Sequence, residues 1–122
     1  MNSTATSLSI FLAAAGASHF ARPKFFEQVV PPQLPGGRAA WIAGSGAAEL
    51  AVAAAIAVPR TRQAGCLAAA ALFVGVFPGN VYMAARALRS PRASSAKKAA
   101  TVARLPLQAP LVLWALRASR QR

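Results

Sequence analysis

The chain has 122 residues and a formal charge of +12, and it is 56% hydrophobic but only 13% charged. That length suits one domain, and the missing polar helix faces disfavour a water-soluble bundle. A pI near 12 invites nucleic-acid binding, but the basic residues flank apolar runs, a pattern of topology signals and anionic headgroups, so no nucleic-acid partner is expected.

The first apolar segment covers residues 4–21 and ends in His19-Phe20-Ala21-Arg22-Pro23. Pro23 discourages helix at the residue before it. Residues 1–9 carry no Lys or Arg, so the positive region of a signal peptide is missing and a retained helix is expected. Residues 23–37 are proline-rich and read as an ordered interfacial loop, with a short amphipathic turn at 24–30. The second segment, 39–58, is closed by Pro59 and a tight connection through Arg62. The third, 64–85, has no charge, and Pro78 is expected to bend its last stretch. Residues 86–98 form a polar, basic loop expected to be mobile and cleaved first by protease. The fourth segment, 99–116, is interrupted by Arg104, Pro106 and Pro110, and 117–122 reads as a disordered basic tail. A run of ~20 apolar residues rises ~30 Å, the thickness of a bilayer's hydrocarbon core. The fold class is therefore all-α, a four-transmembrane-helix bundle forming a single membrane domain over 1–122. Gly44-Ser45-Gly46, the alanines of 13–17 and the Gly75/Gly79 spacing would let helices approach closely.

Glu49 is the one ionisable residue within 39–58. A charge near the bilayer midplane survives if it faces protein or water, or takes up a proton. Counting ~1.5 Å per residue from the end carrying the first and third loops, His19 lies ~3 Å deep, Asn80 and Arg104 ~8 Å, Ser45 ~10 Å, Gln108 ~14 Å and Glu49 ~16 Å. All six occupy one half of the membrane. Ser45 and Glu49 share a helix face, as do Arg104 and Gln108. Arg104 could meet Glu49 directly or through water, cancelling two costly charges. A pocket open toward the loop side follows, with Phe20, Trp41 and Tyr82 as candidate walls at its mouth. Each residue also has a plainer reading. Arg104 could snorkel to headgroups, and Glu49, protonated, could only lock helices. His19 could be simply interfacial, and Asn80 could satisfy backbone freed by Pro78. Cys66, the one cysteine, excludes an intramolecular disulfide and fits a packing role. No His/Cys/carboxylate set has metal-ligand spacing, and no flavin or haem motif is present. A general acid–base pair of His19 and Glu49 is disfavoured by a depth difference of ~13 Å, which makes a stand-alone enzyme the weakest reading.

Four stretches carry a family resemblance: AGASHFARPKFFEQVVPPQLP, WIAGSGAAELAVAAAIAVPRTRQAG, FPGNVYMA and RLPLQAPLVLWAL. In this order they resemble the signature of the DoxX-like small bacterial membrane proteins. The recurrent positions fall on Gly16, His19, Phe20, Pro23, Phe26, Pro31, Ser45, Gly46, Glu49, Arg62, Asn80, Arg104, Pro106, Gln108 and Trp114. The resemblance implies four helices in a bacterial cytoplasmic membrane and a link to quinone- or sulfur-dependent redox systems, with no assigned reaction.

Three functions stay open. The chain could be a binding or accessory subunit whose pocket holds a small guest, a quinone headgroup among the candidates, for a redox or stress-response partner. It could be a proton-coupled carrier or small channel, although half the membrane lacks a polar path and no inverted repeat is visible. It could be purely structural. On the loop side lie Arg22, Lys24, Arg38, Arg86, Arg89, Arg92, Lys97, Lys98 and Arg104, against Arg60, Arg62, Arg117, Arg120 and Arg122. The positive-inside rule then puts both termini outside the cytoplasm.

Overall fold

The computed structural model describes residues 3–120, which are all-helical apart from turns, with no strand among them. Helix α1 (Ser3–Ala21) stops where Arg22, next to Pro23, leaves helical geometry at φ −136°, ψ 62°. Pro23 then opens the short α2 (Pro23–Phe26), where its missing N–H costs nothing. A 3-10 turn, Glu27–Val29, follows, so the amphipathic turn expected at 24–30 is present. The chain folds back at Gly36 and Gly37, whose φ values of 89° and 84° suit glycine. Two side chains fasten this linker: Arg38 Nε donates to the Val30 carbonyl (2.8 Å) and Trp41 Nε1 to that of Pro35 (2.7 Å).

Helix α3 (Arg38–Ala57) ends at an extended Val58, as Pro59 demands. Its last carbonyls would be orphaned. Thr61 Oγ1 donates to Ala55 O (2.7 Å), Arg62 Nε to Ile56 O (2.9 Å), and the Arg62 guanidinium also to Ala57 O (3.2 Å). Helices α4 (Arg62–Gly75) and α5 (Phe77–Arg89) form one rod broken at Val76. Pro78 has no N–H to offer the Val74 carbonyl, and the ladder is interrupted in the turn before it.

Helix α6 (Ser95–Arg120) accepts Pro106 and Pro110 without interruption. It starts before residue 99 because Ser94 Oγ accepts the Lys97 backbone N–H (3.0 Å), an N-cap. It also runs past 116. The expected disordered tail is helical through Arg120, with Ala118 and Ser119 buried against the bundle; residues 121–122 lie outside the described residues. The expected basic loop of 86–98 contracts to 90–94, since α5 runs to Arg89.

Helix α1 packs along α3 and α4 along α6, while α3–α4, α5–α6 and α1–α6 contacts close the bundle. Helices α3 and α6 share no comparable interface and sit diagonally. The contact between α1 and α3 depends on two glycines. A Cβ on Gly16 would lie 2.9 Å from the Gly46 carbonyl, and one on Gly46 would lie 2.8 Å from His19 Cβ. Gly44 and Gly75 meet nothing within 4 Å, and Gly79 abuts the linker at Val29 O rather than another helix. The Gly75/Gly79 spacing is thus not a helix–helix contact.

Alongside the apolar core, polar groups are buried and large apolar side chains are exposed. His19, Glu49, Asn80, Thr101, Gln108 and Ser119 are buried, whereas Ile10, Val74, Leu107 and Leu113 are 57–64% exposed. Among the described residues three stretches are long and apolar enough to cross a membrane: Arg38–Ala57, Pro59–Arg89 and Ser95–Arg120. Helix α1 is not among them; its hydroxyl-rich start and His19 dilute its apolar run.

Candidate functional site

The close approach of α1 and α3 sets the site. Ser9 Oγ donates to the Ala53 carbonyl (2.8 Å), which fixes the antiparallel register. His19 lies level with Gly46. Glu49 is then one turn further along α3, ~4.5 Å rather than ~13 Å from the level of His19. The depth count fails because the helix ends are not coplanar: α1 stops ~9 Å, more than one and a half turns, inside the start of α3, and the linker fills that layer. Side chains lean toward the N-terminus of their own helix, so His19 and Glu49 on antiparallel helices lean toward each other. His19 Nε2 lies 3.7 Å from Glu49 Oε1. The objection to direct cooperation of these two groups is thereby removed.

His19 Nδ1 is 2.7 Å from the Ala15 carbonyl. A carbonyl only accepts, so Nδ1 carries the hydrogen and Nε2 is left facing the carboxyl group. A single proton on the two groups, at Nε2 or on the carboxyl group, would make the pair neutral overall. Neutrality is what a buried site requires. Phe26 stacks flat on the imidazole, with centroids 3.8 Å apart and planes at 16°. It arrives there because Pro23 turns the chain back over the end of α1. Phe26 and Phe25, which packs edge-on to it, are thus the aromatic groups at the pocket. The expected walls do not serve: Phe20 and Trp41 point outward, and Tyr82 lines a different hollow. The available signal is a pair of phenylalanines two and three residues after a helix-breaking proline.

Ser45, His19, Glu49, Asn80, Arg104 and Gln108 all line one cavity of about 180 Å³, together with Phe11, Phe25, Phe26 and Phe73. Gln108 Nε2 donates to the Phe73 carbonyl in the last turn of α4, and its Oε1 accepts from Asn80 Nδ2 (3.2 Å). These two amides therefore fasten α6 to the α4–α5 break. Asn80 bonds Gln108 and not the backbone freed by Pro78, and Gln108 bonds the neighbouring Phe73 carbonyl. The direct pair expected between Glu49 and Arg104 is not formed. Among the described residues His19 is the partner of Glu49 within 4 Å, and Arg104 is exposed at the cavity. The diagonal placement of α3 and α6 explains this. Glu49 Oε2 is buried with no hydrogen-bond partner. An unmet buried acceptor costs ~1–3 kcal/mol, so the site has an opening for a donor.

Below this layer the bundle is dry. Leu8, Leu12, Ile56 and Cys66 are fully buried in a core completed by Ala53, Ala69, Phe73 and Ala115. Cys66 packs there as a free thiol. Among the described residues no three His, Cys, Asp or Glu side chains come together as a metal group would require. No curated protein and no solved structure matches the chain. One family model, that of the domain of unknown function DUF8561, matches residues 8–119. With nearly its whole length covered, the chain belongs to the DUF8561 family.

Proposed function

We propose that the chain is a four-span integral protein of a bacterial cytoplasmic membrane, similar to the DoxX-like proteins, that binds a small, partly polar guest as an accessory subunit of a redox or stress-response system. The membrane reading is supported by the large apolar side chains exposed along the rods, by the burial of His19, Glu49, Asn80 and Gln108, and by three stretches of spanning length. Helix α1 would be the fourth span, held by α3 and α6. The single observation that carries the binding reading is the buried, unpartnered Glu49 Oε2 beside His19 at a cavity of about 180 Å³. An apolar cavity of about 150 Å³ accommodates benzene, so a single six-membered ring fits. A quinone-type headgroup suits the chemistry. The hydroxyl of its reduced form would donate to Glu49 Oε2, and Arg104 would reach a second oxygen at the opposite wall.

The test is the mass of small molecules co-purifying with the extracted protein. One aromatic guest per chain is expected, with retention lost in Glu49→Gln and reduced in Arg104→Ala. Equal retention by both variants would overturn the reading.

The proximity of two ionisable groups, His19 and Glu49, favours a second reading, a proton-coupled carrier. The dry core around Leu8, Leu12, Ile56 and Cys66 opposes it, since it interrupts any polar path. Proteoliposomes subjected to a pH jump would decide, and flux no greater than that of empty vesicles would exclude the carrier.

A further inference from the structure

Beyond the pocket, the loop-side end of the bundle holds a second hollow of about 570 Å³. Lys24, Arg38, Arg86, Arg92 and Lys97 line it, with Glu27 the one acid. These cations come from α2, the first turn of α3, the last turn of α5, the 90–94 turn and the first turn of α6. Folding thus gathers positive charge from five separate places against its own repulsion. Among the described residues no carboxylate lies within 4 Å of any of them. Arg38 spends its Nε on the Val30 carbonyl, which holds the linker wall of the hollow in place. Ser90 and Ser94 add hydroxyls. Phe25 and Leu88, the chain neighbours of the lining residues Lys24 and Ala87, are each 55% exposed, so apolar surface accompanies the charged hollow. At the opposite end of the bundle Arg62 is committed to the carbonyls of α3, and among the described residues the cations lining the open hollow there are Arg117 and Arg120.

We infer that this hollow is a binding site for the phosphate of an anionic phospholipid, with the acyl chains running down over Phe25 and Leu88. A phosphate monoanion or diester offers the acceptor oxygens that clustered Arg and Lys lack within the chain. The level is that of headgroups, where the apolar rods give way to charged turns. The inference rests on the membrane-embedded reading above and is independent of what occupies the His19–Glu49 pocket.

The test is native mass spectrometry of the full chain released from bilayers of equimolar phosphatidylglycerol and phosphatidylcholine. The wild type is expected to retain phosphatidylglycerol selectively. Arg92→Gln/Lys97→Gln should lower that selectivity by about fivefold for each charge removed. Arg117→Gln/Arg120→Gln, an equal loss of charge at the other end, should leave it unchanged. All four positions are exposed, and an unaltered helical circular dichroism spectrum would certify the fold. Equal losses in the two double variants, or no lipid preference in the wild type, would overturn the site. Displacement of the lipid by millimolar inorganic phosphate would overturn its assignment to lipid. The pocket's guest appears in the same spectra, so failure of the groove and failure of the pocket are separately visible.

Discussion

The two halves of this bundle solve different problems with the same four rods. Around Leu8, Leu12, Ile56 and Cys66 the helices meet through small, aliphatic and aromatic side chains, with no carboxylate, histidine, lysine or arginine in the cluster. Around His19, Glu49, Asn80 and Gln108 they meet through charge and amide hydrogen bonds, and leave space. The first half supplies packing that holds the rods together. The second is held by specific partners and is incomplete by one donor at Glu49 Oε2. The contrast teaches that stability and the candidate function are carried by separate layers, so substitutions should separate them.

The largest stability effects are expected in the dry half. Leu8→Ala or Ile56→Ala removes a fully buried side chain and should cost about 2–5 kcal/mol, read as a fall in the melting temperature of detergent-solubilised protein. Guest retention at low temperature should survive. The next effect lies at the seam between the halves. Gly46→Ala places a Cβ 2.8 Å from His19 Cβ and Phe20 Cε2, and the overpacking should cost about 1–3 kcal/mol while spreading His19 from Glu49. Gly44→Ala, with nothing within 4 Å, is the neutral control. Gln108→Leu comes third. It strands the Phe73 carbonyl and releases Asn80, for about 1–3 kcal/mol. Hydrogen exchange at the α4–α5 break should rise, whereas protection at the 58–61 turn should not change. The smallest stability effect belongs to Arg104→Ala, expected within about 0.5 kcal/mol because the residue is exposed, although guest retention should drop. A large loss of stability in Arg104→Ala would show that the two layers are not separate.

Much of this division is legible in the sequence. Placing charges and amides by residue count assigns His19, Ser45, Glu49, Asn80, Arg104 and Gln108 to one half, and the structure brings all six to one cavity. What residue counting misses is relative: which helices are neighbours, and where each ends with respect to the next. Helix α1 stops ~9 Å, more than one and a half turns, inside the start of α3, so Glu49 meets His19. Helices α3 and α6 lie diagonally, so Arg104 does not reach Glu49 directly. The ends of α6 were misjudged for a local reason. Its basic termini resemble loops in composition, yet Ser94 caps one end and Ala118 and Ser119 pack at the other.

The His19–Glu49 contact is the feature on which the rest depends, and the composition makes it directly measurable. His19 is the one histidine, and Glu27 is the one other acid besides Glu49. Nitrogen-labelled histidine and carboxyl-labelled glutamate in lipid bilayers therefore report on few sites, and solid-state dipolar recoupling between them reads their separation. With Nε2 3.7 Å from Oε1, a coupling to the Glu49 carboxyl carbon at no more than about 5 Å is expected, with Nδ1 protonated. Absence of that coupling in folded protein would contradict the paired site and the pocket built on it.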